Sequence, residues 1–251
     1  MRYASATDTG TVRKNNEDFR AVLNVGQDTV FVIADGMGGN AVGELASRTA
    51  VEYVLSALPH ELELAKNKME IEDVLHLIIE KANVRVYLES LDNKEFQGMG
   101  TTLTIAVLRD WRLYVSHIGD CRVYLVHGST LDRLTVDHTL VQELVDSGSI
   151  TQEEALTHPK RHVLLKSLGV NEYMSPDTYS FDISEGDLIL MCTDGLYGYV
   201  EETEIRTILR RHKDLDACAA QLVSAANRMG GKDNVTVILI NCDRDKNKED
   251  V

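Results

Sequence analysis

The chain has 251 residues, 43% of them hydrophobic, and carries a formal net charge of −14 from 40 acidic against 26 basic side chains. That length buries a sizeable core as one large domain or two small ones. The charge argues against general nucleic-acid or anionic-membrane binding, because phosphate backbones are captured by clustered Lys and Arg. Cys121, Cys192, Cys218 and Cys242 are scattered without a CxxC pair, which points away from zinc and disulfide frameworks and toward a reduced, cytoplasmic setting. No run approaches the roughly 18 apolar residues of a membrane span, and the opening "MRYASATDTG" lacks an apolar signal core.

Strand-like segments come first, near Tyr3 to Ala6, Phe19 to Val25 and Thr29 to Ala34. The third, "TVFVIA", is a continuous β-branched run that reads as a strand buried on both faces. It ends in Asp35 and the flexible "GMGG". Helical spacing follows in "GELASRTAVEYVLSAL" and over a longer stretch in "IEDVLHLIIEKANVRVYLESL". "TTLTIAVLRDWRLYVSHIGDCRVYLVH" reads as a three-stranded antiparallel meander. From about Asp137 to Leu168, short helical pieces and the charged "HPKRH" suggest an insertion lying over the sheet. The strand "DLILMCTDG", helices in Glu201 to Arg211 and Leu215 to Met229, and the strand "NVTVILINC" complete the pattern. Runs of strands and pairs of helices favour a layered α+β architecture over strict βαβ alternation. A single domain over 1–242 with a fraying charged tail over 243–251 is the simplest organisation.

Carboxylates recur at the edges of these strands. Asp35, Asp120, Asp194 and Asp233 each stand at a strand boundary beside glycine or a polar turn, so one sheet rim could gather them. Two carboxylates about 4 Å apart repel by roughly 4 kcal/mol at an effective dielectric near 20, so a cluster needs cations between its members. All-oxygen donors select hard ions, Mg²⁺ or Mn²⁺. In "TDTGTVRKNNEDF", Arg13 offers a donor fork suited to phosphate, with Glu17 and Asp18 as further carboxylates.

In order, "RKNNED", "ADGMGG", "MGTT", "HIGDCRVY", "DHTLVQEL", "HPKRHVLLKSLG", "TDGL" and "GGKDNVTV" resemble the metal-dependent protein serine/threonine phosphatases, the PPM or type 2C family, in its compact bacterial branch. The resemblance runs from about Thr7 to Ile240. It implies a four-layer sandwich, two antiparallel β-sheets flanked by helix pairs, with a metal centre at one end and a mobile flap over about 137–168. By the same resemblance Asp35 bridges two metals and Gly36 offers its carbonyl to the second. Asp194 and Asp233 complete the first, Glu17 and Asp18 ligate or order waters, Asp120 holds a weaker third ion, and Arg13 binds phosphate. Flap residues His158, Lys160, Arg161 and His162 are substrate candidates. Three positions depart from the family pattern: Met37, Asn40 and, in "GDCR", Cys121.

This ligand set implies a metal-activated water attacking a phosphoserine or phosphothreonine, with catalysis resting on Arg13, Asp35 and Asp194. The expected partners are phosphorylated proteins and a cognate Ser/Thr kinase, around a monomeric chain with no nucleic acid and no membrane span. A silent phosphoprotein-binding module, which would lack one of Asp35, Asp194 and Asp233, and a small-molecule phosphatase are the alternatives. Cys192 lacks the surrounding loop of a thiol phosphatase and reads as a core thiol, and His117, inside a strand pattern, reads as a structural residue.

Overall fold

The computed structural model describes residues 1–38, 42–211 and 214–243. Asn40 and residues 244–251 of the expected tail lie outside them. One sheet runs in the order β2 (Asp18–Val25), β3 (Asp28–Met37), β5 (Leu103–Arg109), β6 (Arg112–Ile118) and β9 (Asp177–Asp182), with the two-residue β4 (Gly100–Thr101) paired to the end of β3. The other runs β1 (Arg2–Asp8), β11 (Val235–Asn241), β10 (Leu188–Cys192), β7 (Arg122–His127) and β8 (Thr130–Arg133). Neighbouring strands within both sheets are antiparallel.

Side-chain alternation along the strands divides the interior into three apolar layers. Between the sheets lie Phe31, Ile33, Val115, Met191 and Ile238. On the outer face of the first sheet, Val30, Val32 and Ala34 pack under α1 (Val42–Leu64) and α2 (Lys68–Asp92). On the outer face of the second, Leu190, Cys192, Val237 and Leu239 pack under α6 (Glu202–Arg211) and α7 (Leu215–Arg228), with the single-turn α5 (Asp194–Tyr197) alongside. Helix pair, sheet, sheet, helix pair is the expected α+β four-layer sandwich. The run at Val30–Ala34 is apolar throughout because each of its faces meets a different core.

Two expectations need correction. The stretch over 101–127 is not one meander: β5 and β6 pair in the first sheet, whereas β7 crosses to the second and pairs with β10 and β8. All three strands are apolar on both faces, so their pattern carried no mark of which sheet each joins. The crossing is made at Gly119, whose φ of +105° suits glycine and whose added Cβ would lie 2.4 Å from Thr102 Cγ2. Nor does the third strand stop before Asp35, since β3 continues to Met37 and places Asp35 within the ladder. The search for apolar β-rich runs also missed β8 and β9, short half-exposed strands at the two sheet edges.

Between β8 and β9 the chain leaves the sheets and forms α3 (Leu140–Asp146) and α4 (Gln152–Thr157). Backbone bridges Thr139–Leu164 and Thr101–Leu168 tie this excursion to itself and to the body. Buried Asn83 on α2 fixes its exit: the amide donates to the carbonyls of Asn171 and Glu172, and its oxygen accepts the Gly169 N–H.

Candidate metal centre

The β2–β3 register sets Asp18 directly opposite Asp35. Like charges in that relation are normally destabilising, so both need compensation from elsewhere. Asp18 Oδ2 accepts hydrogen bonds from Thr193 Oγ1 at 2.9 Å and Thr236 Oγ1 at 2.7 Å, which link it to the other sheet. Its Oδ1 is buried without a partner. Asp35 is held through its backbone: its N–H donates to Thr102 Oγ1 at 2.8 Å, and its carbonyl accepts from Thr102 N and Thr101 Oγ1. Cys121 Sγ lies 3.1 Å from the same Thr102 hydroxyl, so the departure at Cys121 is built into the support of Asp35.

The remaining carboxylates arrive from three other places. Asp194 opens α5, and Tyr197 at the end of that turn donates to the Asp120 carbonyl at 2.8 Å, joining the two segments. Arg122 stacks 3.5 Å over the Tyr197 ring and pairs with Asp137, not Asp120, at 2.6 Å. Asp233 accepts from Arg13 Nη2 at 2.8 Å, so the proposed phosphate-binding arginine rests on a proposed metal ligand. Glu17 lies against the start of α1, its Oε1 3.0 Å from where a Cβ on Gly43 would stand. Gly36 and Gly43 approach so closely that a Cβ on Gly36 would stand 2.1 Å from the Gly43 carbonyl. Only glycine permits that approach of strand to helix.

Asn234 fastens the N-terminal loop that carries Arg13 and Glu17. Its oxygen accepts from Glu17 N at 2.8 Å, and its amide donates to the carbonyls of Thr9 and Asn15, each at 2.9 Å. This residue, with Thr102, Thr193 and Thr236, escaped the sequence reading. A signal existed, because Thr236 is a polar residue in the otherwise apolar interior of a buried strand.

These segments enclose a cavity of about 410 Å³ lined by Arg13, Glu17, Asp35, Gly36, Asp120, Asp194 and Asp233, with Met37, His162, Lys232 and Asn234 among the rest. Asp18 stands behind it. Burial first, then repulsion from Asp18, Asp194, Asp120 and Asp233, holds the Asp35 carboxyl well above its ordinary range. Burial and Asp194 do the same to Asp120. Burial pushes Asp18 up to about 7 against the two threonine hydrogen bonds. Asp233 and Glu17 are also raised, chiefly by burial, with Arg13 opposing. Among the described residues no three His, Cys, Asp or Glu side chains already close round one point. The orphaned Asp18 oxygen and the surplus of carboxylates over cations nevertheless match what hard divalent ions require.

Of the expected flap residues, His162 reaches the cavity, with Nδ1 3.4 Å from Asp194 Oδ2. His158, Lys160 and Arg161 do not line it. Cys192 is fully buried in the outer core, its thiol pushed up by burial. His117 is buried too, with Nδ1 2.8 Å from Thr104 Oγ1.

With this geometry in hand, residues 10–237 match the family model described as protein phosphatase 2C. The serine/threonine phosphatase stp of Listeria welshimeri is 37% identical over 96% of this chain and 95% of its own. The structure of the S. agalactiae serine/threonine phosphatase superposes with a TM-score of 0.90 at 32% identity, covering 96% of this chain and 99% of that one. A catalytic domain of the serine threonine protein phosphatase PstP, in complex with two manganese ions, gives 0.81 at 34% identity over 95% and 96%.

Proposed function

The chain belongs to the protein phosphatase 2C family and is an enzyme of that class, and from that premise we propose that it removes phosphate from serine and threonine of proteins using two divalent ions, Mn²⁺ or Mg²⁺. Asp35, Gly36, Asp194 and Asp233 would hold the pair, Glu17 and Asp18 would support it, and Asp120 would serve a weaker third ion. What carries the reading is Asp35 facing Asp18 across the ladder while one buried oxygen of Asp18 stays unpartnered. What supports an active enzyme over a silent binding module is that Asp35, Asp194 and Asp233 all line one cavity.

The bound ions would supply Lewis-acid neutralisation of phosphoryl charge and acidify the attacking water. The chain's own residues do the rest. Arg13 gives up Asp233 and turns its fork to the phosphoryl oxygens, which suits a guanidinium half exposed at the cavity mouth. Asn234 keeps the loop carrying Arg13 against the site. Thr102 fixes the Asp35 backbone, and Tyr197 ties Asp120 to the turn that carries Asp194. Met37 brings no titratable group to the cavity.

The proposed setting is the cytoplasm, with a cognate Ser/Thr kinase as the opposing enzyme and a monomeric chain. Among the described residues no helix is long and apolar enough to cross a membrane. The test is phosphate release from phosphothreonine peptides, phosphotyrosine peptides and p-nitrophenyl phosphate after chelation and after Mn²⁺ is restored. Manganese-dependent turnover that favours phosphothreonine peptides is expected. Full activity after exhaustive chelation would remove the metal pair from the account.

A further inference from the structure

A second hollow, of about 570 Å³, opens beside α6 and is lined by Arg206, Arg210, Arg211, Thr207 and Ser129. Among the described residues its walls contain three arginines and no carboxylate, on a chain whose net charge is −14. Carboxylates of α6 are engaged elsewhere: Glu204 pairs with Arg228 at 3.5 Å, and Glu202 accepts from Tyr124. Arg206 and Arg210 stand four residues apart on one helix face, where like charges repel by a few tenths of a kcal/mol. Placement at a helix C-terminus accounts for Arg210 and Arg211, but not for Arg206 one turn earlier. Ser129 comes from the β7–β8 turn, so two elements build the hollow.

Its position separates it from the metal centre. β7 starts next to Asp120 and ends at His127, and a rise of about 3.3 Å per residue puts its far end roughly 17 Å from the Arg122 end. A phosphoryl group in the hollow is therefore not the one being hydrolysed.

We propose that this arginine-lined hollow binds a phosphorylated segment of a protein partner, holding the phosphate between Arg206 and Arg210. Planar guanidinium forks match phosphate oxygens, and a phosphate carrying about −1.5 to −2 charges complements three arginines where single carboxylates would be weaker ligands. The hollow exceeds the volume of one phosphate and leaves room for flanking residues. On an acidic surface that repels acidic chains, such a patch selects where they dock.

The experiment uses the full chain in EDTA, which withholds the divalent ions that the proposed hydrolysis needs, so the result is independent of turnover. Binding of a fluorescein-labelled phosphothreonine peptide is followed by anisotropy and compared with its unphosphorylated form. Binding is expected to be at least about tenfold weaker without the phosphate, and at least about tenfold weaker for Arg206→Ala/Arg210→Ala. Arg13→Ala should bind as wild type does. The double variant, confirmed as folded by its thermal melt, should hydrolyse p-nitrophenyl phosphate normally with Mn²⁺. Undiminished peptide binding by the double variant would overturn the proposal, as would equal affinity for the unphosphorylated peptide. Loss of binding in Arg13→Ala would place the phosphate at the metal cavity instead. Binding to phosphatidylserine vesicles but not to the phosphopeptide would assign the patch to membranes and reject it as a phosphopeptide site.

Discussion

β3 carries a buried aspartate, Asp28, at its start and a half-buried one, Asp35, near its end, and the two are treated oppositely. Asp28 meets Arg109, whose Nε donates to Oδ1 at 2.7 Å and whose Nη2 donates to Oδ2. The same guanidinium also donates to the carbonyls of Leu62 and Ala65 at the end of α1, so charge and hydrogen bonding close locally. Seven residues along, Asp35 faces Asp18 and shares its surroundings with Asp120, Asp194 and Asp233. The guanidinium that lines this cavity, Arg13, is engaged with Asp233 rather than with Asp35. A buried charge with its own counter-ion holds the fold together. One left among like charges, beside a cavity, marks where a ligand completes the structure.

The largest effect should come from Asp35→Asn, which removes the central anionic donor and should cut Mn²⁺-dependent turnover by two to three orders of magnitude, roughly the loss seen when one transition-state contact is deleted. Near-normal kcat in this variant would contradict the assignment. Asp28→Asn should do the reverse: it strands Arg109 and costs about 3–5 kcal/mol of stability, lowering Tm by about 10 °C, while kcat per folded molecule stays unchanged. A smaller effect is expected for Arg13→Ala. Its KM for phosphopeptides should rise about tenfold, because the guanidinium meets oxygens already charged in the ground state, and Mn²⁺ affinity should hold or tighten because Asp233 is released. Loss of manganese binding at unchanged KM would make Arg13 structural.

The mildest test is pH. Unfolded aspartates titrate near pH 4, whereas folded Asp18 keeps its proton up to about 7 and Asp35 and Asp120 are raised as well. Between those values the folded chain binds more protons than the unfolded one, so metal-free stability should fall as pH rises from about 4 to 7. Urea midpoints in EDTA should show this slope, and Asp18→Asn should flatten it. An identical slope in the variant would detach Asp18 from the effect.

Sequence alone revealed the Asp35 end of this comparison and missed the Asp28 end. Asp35, Asp120, Asp194 and Asp233 were readable because a carboxylate beside glycine at the edge of an apolar run conflicts with burial unless something compensates it. Asp28 and Arg109 are 81 residues apart and each reads as an ordinary turn residue, since only the pairing of β3 with β5 brings them together. The crossing at Gly119 was hidden for a related reason: strands buried on both faces carry no record of their sheet. Thr193, Thr236 and Asn234 sat inside recognisable motifs, yet their work is to join distant segments, which spacing does not encode. That His162 lines the cavity while His158, Lys160 and Arg161 do not is a property of the folded excursion, which spacing does not record.

Thermal melts of wild type and Asp35→Asn at pH 8, with EDTA and with Mn²⁺, test the central claim most directly. If Asp35 is a charge that the protein leaves for a metal to neutralise, the variant should melt above wild type in EDTA. Manganese should then raise the wild-type Tm and leave the variant nearly unmoved. A variant that melts below wild type in EDTA and gains as much from Mn²⁺ would show that Asp35, like Asp28, belongs to the scaffold.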